Sequence, residues 1–309
     1  MTSRKLLLLV TLTVVVFVAL AGYGDFKTVG ARLASFPLHY LSAALALAAL
    51  NYTLRFFRWS YYLSLLNIEI PFRLSLLVFL SGLALSLTPG KVGELVKGYF
   101  LRNRAGVPLT SSIPAILMER LTDVIAVVLL GLIGLTLLPE SIRWILVVVL
   151  IFSGVFIYLL ASHRSQLLFR LPLLRRWRED AEHSREGLRR LTAPKPMLIS
   201  VGLGVVAWLS EGLALWIIIK GLGADLSLVW TLPVYASATI AGAISTLPGG
   251  LIGTEGAMLA LLQQGGVARD VAAAGTLLVR LVTLWFAVAI GMGALAMLNR
   301  FQPVRAEEA

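Results

Sequence analysis

Leu87-Thr88-Pro89-Gly90-Lys91-Val92-Gly93-Glu94 and Leu247-Pro248-Gly249-Gly250-Leu251-Ile252-Gly253-Thr254-Glu255 decide how this chain folds. In each stretch an apolar run stops at a Pro-Gly break, followed by a short helical segment and then a longer apolar helix. Proline cannot donate a backbone hydrogen bond and glycine resists helix, so each pair interrupts what is otherwise a membrane-type helix. Sliding the sequence on itself by 160 residues superposes Gly82 on Gly242, Gly90 on Gly250, Gly93 on Gly253, Gly106-Val107 on Gly266-Val267, Arg120-Leu121 on Arg280-Leu281 and Gly131 on Gly291. Over residues 82–131, 12 of 50 positions are identical, where about four or five are expected by chance, so the breaks belong to an internal repeat.

The 309 residues are 58% hydrophobic and 14% charged, with 27 Lys+Arg against 16 Asp+Glu and a mean hydropathy of +0.88. Soluble domains run near 45–50% apolar and about 25% charged, which excludes a water-soluble globule. A spanning helix needs about 20 mostly apolar residues. Apolar runs lie at 6–22, 38–60, 72–88, 112–138, 142–161, 197–220, 229–247 and 270–298. The first follows Arg4 and Lys5 and contains Ala19-Leu20-Ala21, so a cleaved signal peptide is one reading; its length favours an uncleaved helix. Residues 162–196 hold nine Lys/Arg and four acids, including Arg175, Arg176, Arg178, Arg189 and Arg190. They read as a basic cytoplasmic linker, with a first membrane half at 1–161, a second at 197–300 and a short tail at 301–309. The first half comprises a helix at 6–22, repeat 1 at 38–138 and a helix at 142–161. The net charge of +11 fits anionic lipid at the linker and the positive-inside rule. Nucleic acid is not expected as a partner, because the basic residues sit between apolar runs without a nucleic-acid motif.

Charge bias decides what the breaks do. If the run at 72–88 spanned fully, an inside N-terminus would put the basic linker outside, against the positive-inside rule. If that run and the short helix after it form a re-entrant hairpin, then the N-terminus, Arg102, Arg104, the linker, Arg300 and Arg305 all fall inside. The hairpin is therefore expected. From the helix at 38–60 to its partner at 197–220 the chain crosses three times, so the halves have opposite orientation. Inverted repeats with broken helices are a transporter architecture, with the site at the breaks. The expected fold is an all-α integral membrane protein of about six spanning helices plus two re-entrant helical hairpins in inverted-topology repeats.

Charged groups inside apolar helices cost roughly 2.5–3.5 kcal/mol each and face partners, water or substrate. The first break carries Lys91, Glu94 and Lys97; Glu94 and Lys97 share a helical face, and Gly90 and Gly93 admit close approach. A helix starting near Gly93 would point its positive end at an anion, the alternative being a solvated helix at the surface. In Glu119-Arg120-Leu121-Thr122-Asp123, Arg120 and Asp123 can pair, leaving Glu119 in need of a partner. Arg280 has no acid within four residues, so Glu255, Glu211 or an anionic ligand must answer it. Glu255 lies in an apolar setting and is a candidate proton carrier, with a permanent Glu255–Arg280 pair as the alternative. Arg55 and Arg58 share a face with Asn51 near a helix end, where snorkelling to lipid phosphates is expected first and a substrate role second. Glu211, 14 residues into its helix, is too deep to snorkel.

Missing chemistry narrows the choice. With no Cys there are no disulfides or thiolate sites. His39, His163 and His183 do not cluster, so no metal site is expected. No Walker A or dinucleotide fingerprint occurs, so no cofactor is expected.

Taken in order, Arg55-x-x-Arg58-Trp59, Pro89-Gly90-Lys91-Val92-Gly93-Glu94, Glu119-Arg120-x-x-Asp123, Pro248-Gly249-Gly250-x-x-Gly253-x-Glu255 and Arg280-Leu281 resemble the flippase-like transmembrane family, which includes the membrane region of lysylphosphatidylglycerol synthases. The resemblance runs from about residue 5 to 300 and implies a role in moving or handling lipids in the cell inner membrane. The sequence ends about ten residues after its last helix, so the soluble aminoacyl-transfer domain of full synthases is absent and lysyl transfer is not expected. The expected function is translocation of an anionic or zwitterionic lipid, with phosphate or polyprenyl phosphate in its head group. Arg120, Arg280 and Lys91 would hold that group, with Lys97 and Arg58 further substrate-binding candidates. Glu94 and Glu255 would gate or carry protons. Pro89, Gly90, Gly93, Glu119, Asp123, Glu211, Pro248, Gly249, Gly250 and Gly253 would shape and gate the site. Two alternatives stand beside this: a membrane-embedded enzyme using Glu94, Glu119 and Asp123 as acid/base groups, or a non-catalytic partner recruiting a lipid-modifying enzyme through the linker.

Overall fold

A computed structural model describes residues 3–88, 95–161 and 181–300, and these contain helices and no strand. In chain order they are α1 Ser3–Tyr23, α2 Phe26–Ala34, α3 Leu38–Leu65, α4 Phe72–Ala84, α5 Val96–Ala105, α6 Leu109–Leu132, α7 Glu140–Ala161, α8 Ala181–Leu191, α9 Pro194–Gly221, α10 Leu228–Ile244, α11 Gly253–Gln264, α12 Arg269–Arg280 and α13 Phe286–Arg300. A π-turn, Leu281–Trp285, joins α12 to α13. Lys91, Glu94, Pro89, Gly90 and Gly93 lie outside the described residues, as does the linker at 162–180.

Among the described residues three elements are long and apolar enough to cross a membrane: α7, α9 and the 32-residue stretch Arg269–Arg300. The pair α1–α2, bent by 103°, reaches that length and apolarity when its two helices are taken together. Helices α3 (28 residues) and α6 (24 residues) have the length but carry Arg55, Arg58, Glu119, Arg120 and Asp123. This is why the count on apolarity falls below the expected six. The apolar pattern gave no hint of α2, which starts where Asp25, at φ 70°, accepts the Thr28 amide at 3.0 Å. That amide holds the exposed Asp25 carboxyl below the usual carboxylate range, and the cap fixes the bend.

Helices α4 and α10 run 13 and 17 residues, short of a full crossing. Each has a return helix packed beside it, α5 on α4 and α11 on α10. At the end of α11 a Cβ on Gly265 would meet the Trp230 indole at the start of α10, so this hairpin leaves at the end where it entered. Other contacts are reciprocal between the halves: α3 lies on α9, α4 on α13, and α10 on α6.

In the seam between α4 and α13 the two backbones come close together. A Cβ added to Gly291 would stand 2.2 Å from the Ala84 amide nitrogen, the small-residue approach that drives helix association where lipid removes the hydrophobic incentive. Gly291→Ala is expected to lower the melting temperature in detergent, with a destabilisation of about 1–3 kcal/mol from overpacking. A variant melting with wild type would show that the seam can open freely.

Candidate functional site

Among the described residues the buried ion pairs form three clusters, and a further buried acid, Glu211, accepts a hydrogen bond from Tyr235. In the first cluster, the Asp123 carboxylate on α6 accepts hydrogen bonds from Arg58 Nη2 at 2.5 Å, Arg55 Nη2 at 3.2 Å and Trp208 Nε1 of α9 at 3.1 Å, and Arg120 Nη2 stands 3.2 Å away as an ion pair. Arg55 and Arg58 reach it because residues three apart share a helical face. Arg58 is 0% exposed and Arg55 7%. The expectation that they snorkel is therefore overturned, since Asp123 supplies the counter-charge at depth and no aqueous route is needed. Asn51, on the same face, donates to the Ala207 carbonyl at 2.8 Å and joins α3 to α9.

In the second cluster Lys97 of α5 pairs with Glu119, the partner that Glu119 required. The ammonium sits 4.7 Å from the Trp59 ring centroid and 5.3 Å from that of Phe79, within cation–π range. Lys97 and Glu119 are 2% and 0% exposed.

The third cluster ties the second break to α12. Arg280 Nε donates to Glu255 Oε1 at 2.7 Å and Nη2 to the Gly249 carbonyl at 2.6 Å. The fixed ion pair is thus the arrangement present. The break itself, Pro248–Gly250, is one 3-10 turn. Around it Thr246 (φ 53°), Gly249 (63°), Gly250 (69°) and Ile252 (69°) all adopt positive φ. For the β-branched Ile252 this is stored strain, of order 1–3 kcal/mol. Gly253 opens α11, where a Cβ would press on the Ala241 carbonyl at 2.8 Å.

The first and third clusters border one cavity of about 250 Å³. Arg55, Arg120, Asp123, Glu211 and Arg280 line it, with Tyr52, Trp208, Tyr235, Thr239, Thr254 and Thr283 adding hydroxyls and aromatic walls. Arg120 and Arg280, the pair matched by the 160-residue offset, both face it. Tyr235 donates to Glu211, and Tyr52 donates to the Thr283 carbonyl at 2.6 Å. Gly249 and Gly250 form part of the wall. The described flank of the first break contributes Leu83 and Ser86, and Leu85–Leu87 packs on Pro248–Gly250. Arg58, Lys97, Glu119 and Glu255 do not line this cavity. Arg58 and Glu255 pair with the cavity-lining Asp123 and Arg280, while Lys97 and Glu119 pair with each other. Sequence reasoning missed Tyr52, Trp208 and Tyr235; the three-residue spacings Tyr52/Arg55 and Trp208/Glu211 were the available signal.

A bundle of apolar helices closed around an ion-lined chamber defines a multi-pass membrane protein. Residues 6–291 match the lysylphosphatidylglycerol synthase TM region, and the chain belongs to that family. It is similar to a UPF0104 membrane protein of Methanothermobacter thermautotrophicus, 27% identical over 285 residues, covering 83% of this chain and 84% of that one. A UPF0104 membrane protein of Methanocaldococcus jannaschii is 23% identical over 215 residues, covering 67% and 90%. Membership carries a lipid-related membrane function.

Asp123→Asn is expected to leave three guanidinium groups undercompensated and to cost roughly 3–5 kcal/mol, as breaking a buried pair does. Thermal unfolding in detergent measures it. An unchanged melt would mean that the arginines are solvated from the cavity and need no carboxylate.

Proposed function

We propose that this protein carries a phosphate-bearing lipid between leaflets, holding the head group in the cavity while the chains stay in the bilayer. The observation that carries the reading is the convergence of Arg120 and Arg280, one from each half, on a single chamber beside the Pro248–Gly250 break. Arginine forks match phosphate oxygens bidentately. Hydroxyls from Tyr52, Tyr235, Thr239 and Thr283 suit the rest of a polar head group. The hairpin contacts support two re-entrant elbows meeting from opposite sides as inverted repeats. Non-helical backbone is tolerated at that depth because it lines a polar cavity.

Orientation follows from charge. Arg73, Arg102, Arg104, Arg185, Arg189, Arg190 and Lys195 gather with Glu69 and Glu186 at the end bearing α8, whose Ser184 donates to the Thr110 carbonyl at 2.7 Å. The other end mixes Lys27, Arg32, Arg143, Lys220 and Arg269 with Asp25, Glu140, Asp225 and Asp270. We assign the basic end to the cytoplasm, in contact with anionic lipid. A carrier is favoured over an enzyme because Glu119 is paired with Lys97 and does not line the cavity, and Asp123 is engaged by three arginines.

Two experiments test this. Arg120→Gln and Arg280→Gln are each expected to slow leaflet exchange of fluorescent phosphatidylglycerol in proteoliposomes at least about tenfold, the worth of one charged hydrogen bond; wild-type rates in both would overturn the reading. For orientation, a cysteine at exposed Ser35 should label from outside, and one at exposed Glu186 only after permeabilisation. Ser184, buried against Thr110, is the wrong reporter. The reverse pattern would overturn the orientation.

A further inference from the structure

A second cavity, about 550 Å³, lies between the bent α1–α2 pair and the outer face of α12 and its π-turn. Phe17, Val18 and Ala21 of α1, Phe26 of α2, and Leu281 and Trp285 line it. It opens onto the lipid-facing surface, where Val18, Phe26 and Leu281 are each about half exposed. Its lining is free of charge. One stretch of backbone divides the two cavities: Arg280, Thr283 and Leu284 face the polar chamber, whereas Leu281 and Trp285 face the groove. The Trp285 indole N–H at this wall is buried without an acceptor among the described residues, and a buried donor calls for a partner. Trp285 follows Arg280 by five residues, with the π-turn between them, so the two lie about one wide turn apart along the axis. That separation suits a phosphate held by the arginine and an ester oxygen reached by the indole.

We propose that this groove seats a hydrocarbon chain of the carried lipid, with Trp285 holding the ester at the chain's head and the π-turn acting as the partition between head and tail. The inference rests on the head-group reading above. It makes α1 and α2, which lie outside the repeated segments, the elements that select the chain.

The test uses the full-length protein in phosphatidylcholine nanodiscs doped with phosphatidylglycerol bearing a diazirine on one chain. After photolysis, adducts are mapped with and without excess glycerophosphoglycerol, the same phosphodiester without chains. Adducts on residues 11–34 and 277–285 that are lost on adding the soluble head group would support the proposal. Val18→Trp, at a half-exposed position where folding is not at risk, should remove them while glycerophosphoglycerol still binds. Trp285→Phe, which keeps the ring and loses the donor, should lower the yield about three- to tenfold. Adducts indifferent to the competitor and to Val18→Trp would mark ordinary surrounding lipid and overturn the chain seat. The head-group reading would survive that result if glycerophosphoglycerol binds wild type and fails to bind Arg280→Gln. If wild type binds no glycerophosphoglycerol, both readings fall together.

Discussion

An ion buried in an apolar bundle must meet its opposite, and the rest of the architecture depends on how Asp123 meets this requirement. Apolar faces are interchangeable in lipid, because the tails around them are as apolar as leucine and do not favour one helix register over another. A carboxylate reached by Arg55 and Arg58 from α3, by Arg120 from its own helix and by Trp208 from α9 leaves little freedom. It fixes the depth and rotation of three long helices, and with them the crossing of α3 on α9 that joins the halves.

The other two pairs extend the same logic to the hairpins. Lys97–Glu119 fastens the return helix α5 to α6, and Glu255–Arg280 fastens α11 to α12. The polarity is exchanged: the first hairpin offers the cation and the second offers the acid. The return helices run 10 and 12 residues, and a charge pair ties each to the neighbouring helix.

Much of this was legible in the residues themselves. A lone arginine in an apolar run predicts a distant acid, and Arg280 found Glu255; a spacing of three predicts a local pair, and Arg120 found Asp123. Arg58 was misread because composition ends the apolar run near residue 60, whereas the helix continues through Ser60, Tyr61 and Tyr62 to Leu65, leaving Arg58 deeper than the run implies. The burial of Lys97 was not legible for a related reason, since nothing in its own segment reveals the Trp59 and Phe79 rings beside it. Tyr52, Trp208 and Tyr235 escaped notice because aromatic residues on apolar helices read as packing until a cavity is visible beside them.

The π-turn at Leu281–Trp285 sets a limit that side chains alone do not express. A wider turn accommodates an additional residue, so α13 is out of phase with α12 by about 100° relative to an unbroken α-helix. Losing any one residue from this stretch would straighten the path and swing either the arginine or Gly291 away from its neighbours. Chain length between positions 280 and 291 is therefore as much a part of the chamber as the groups that line it.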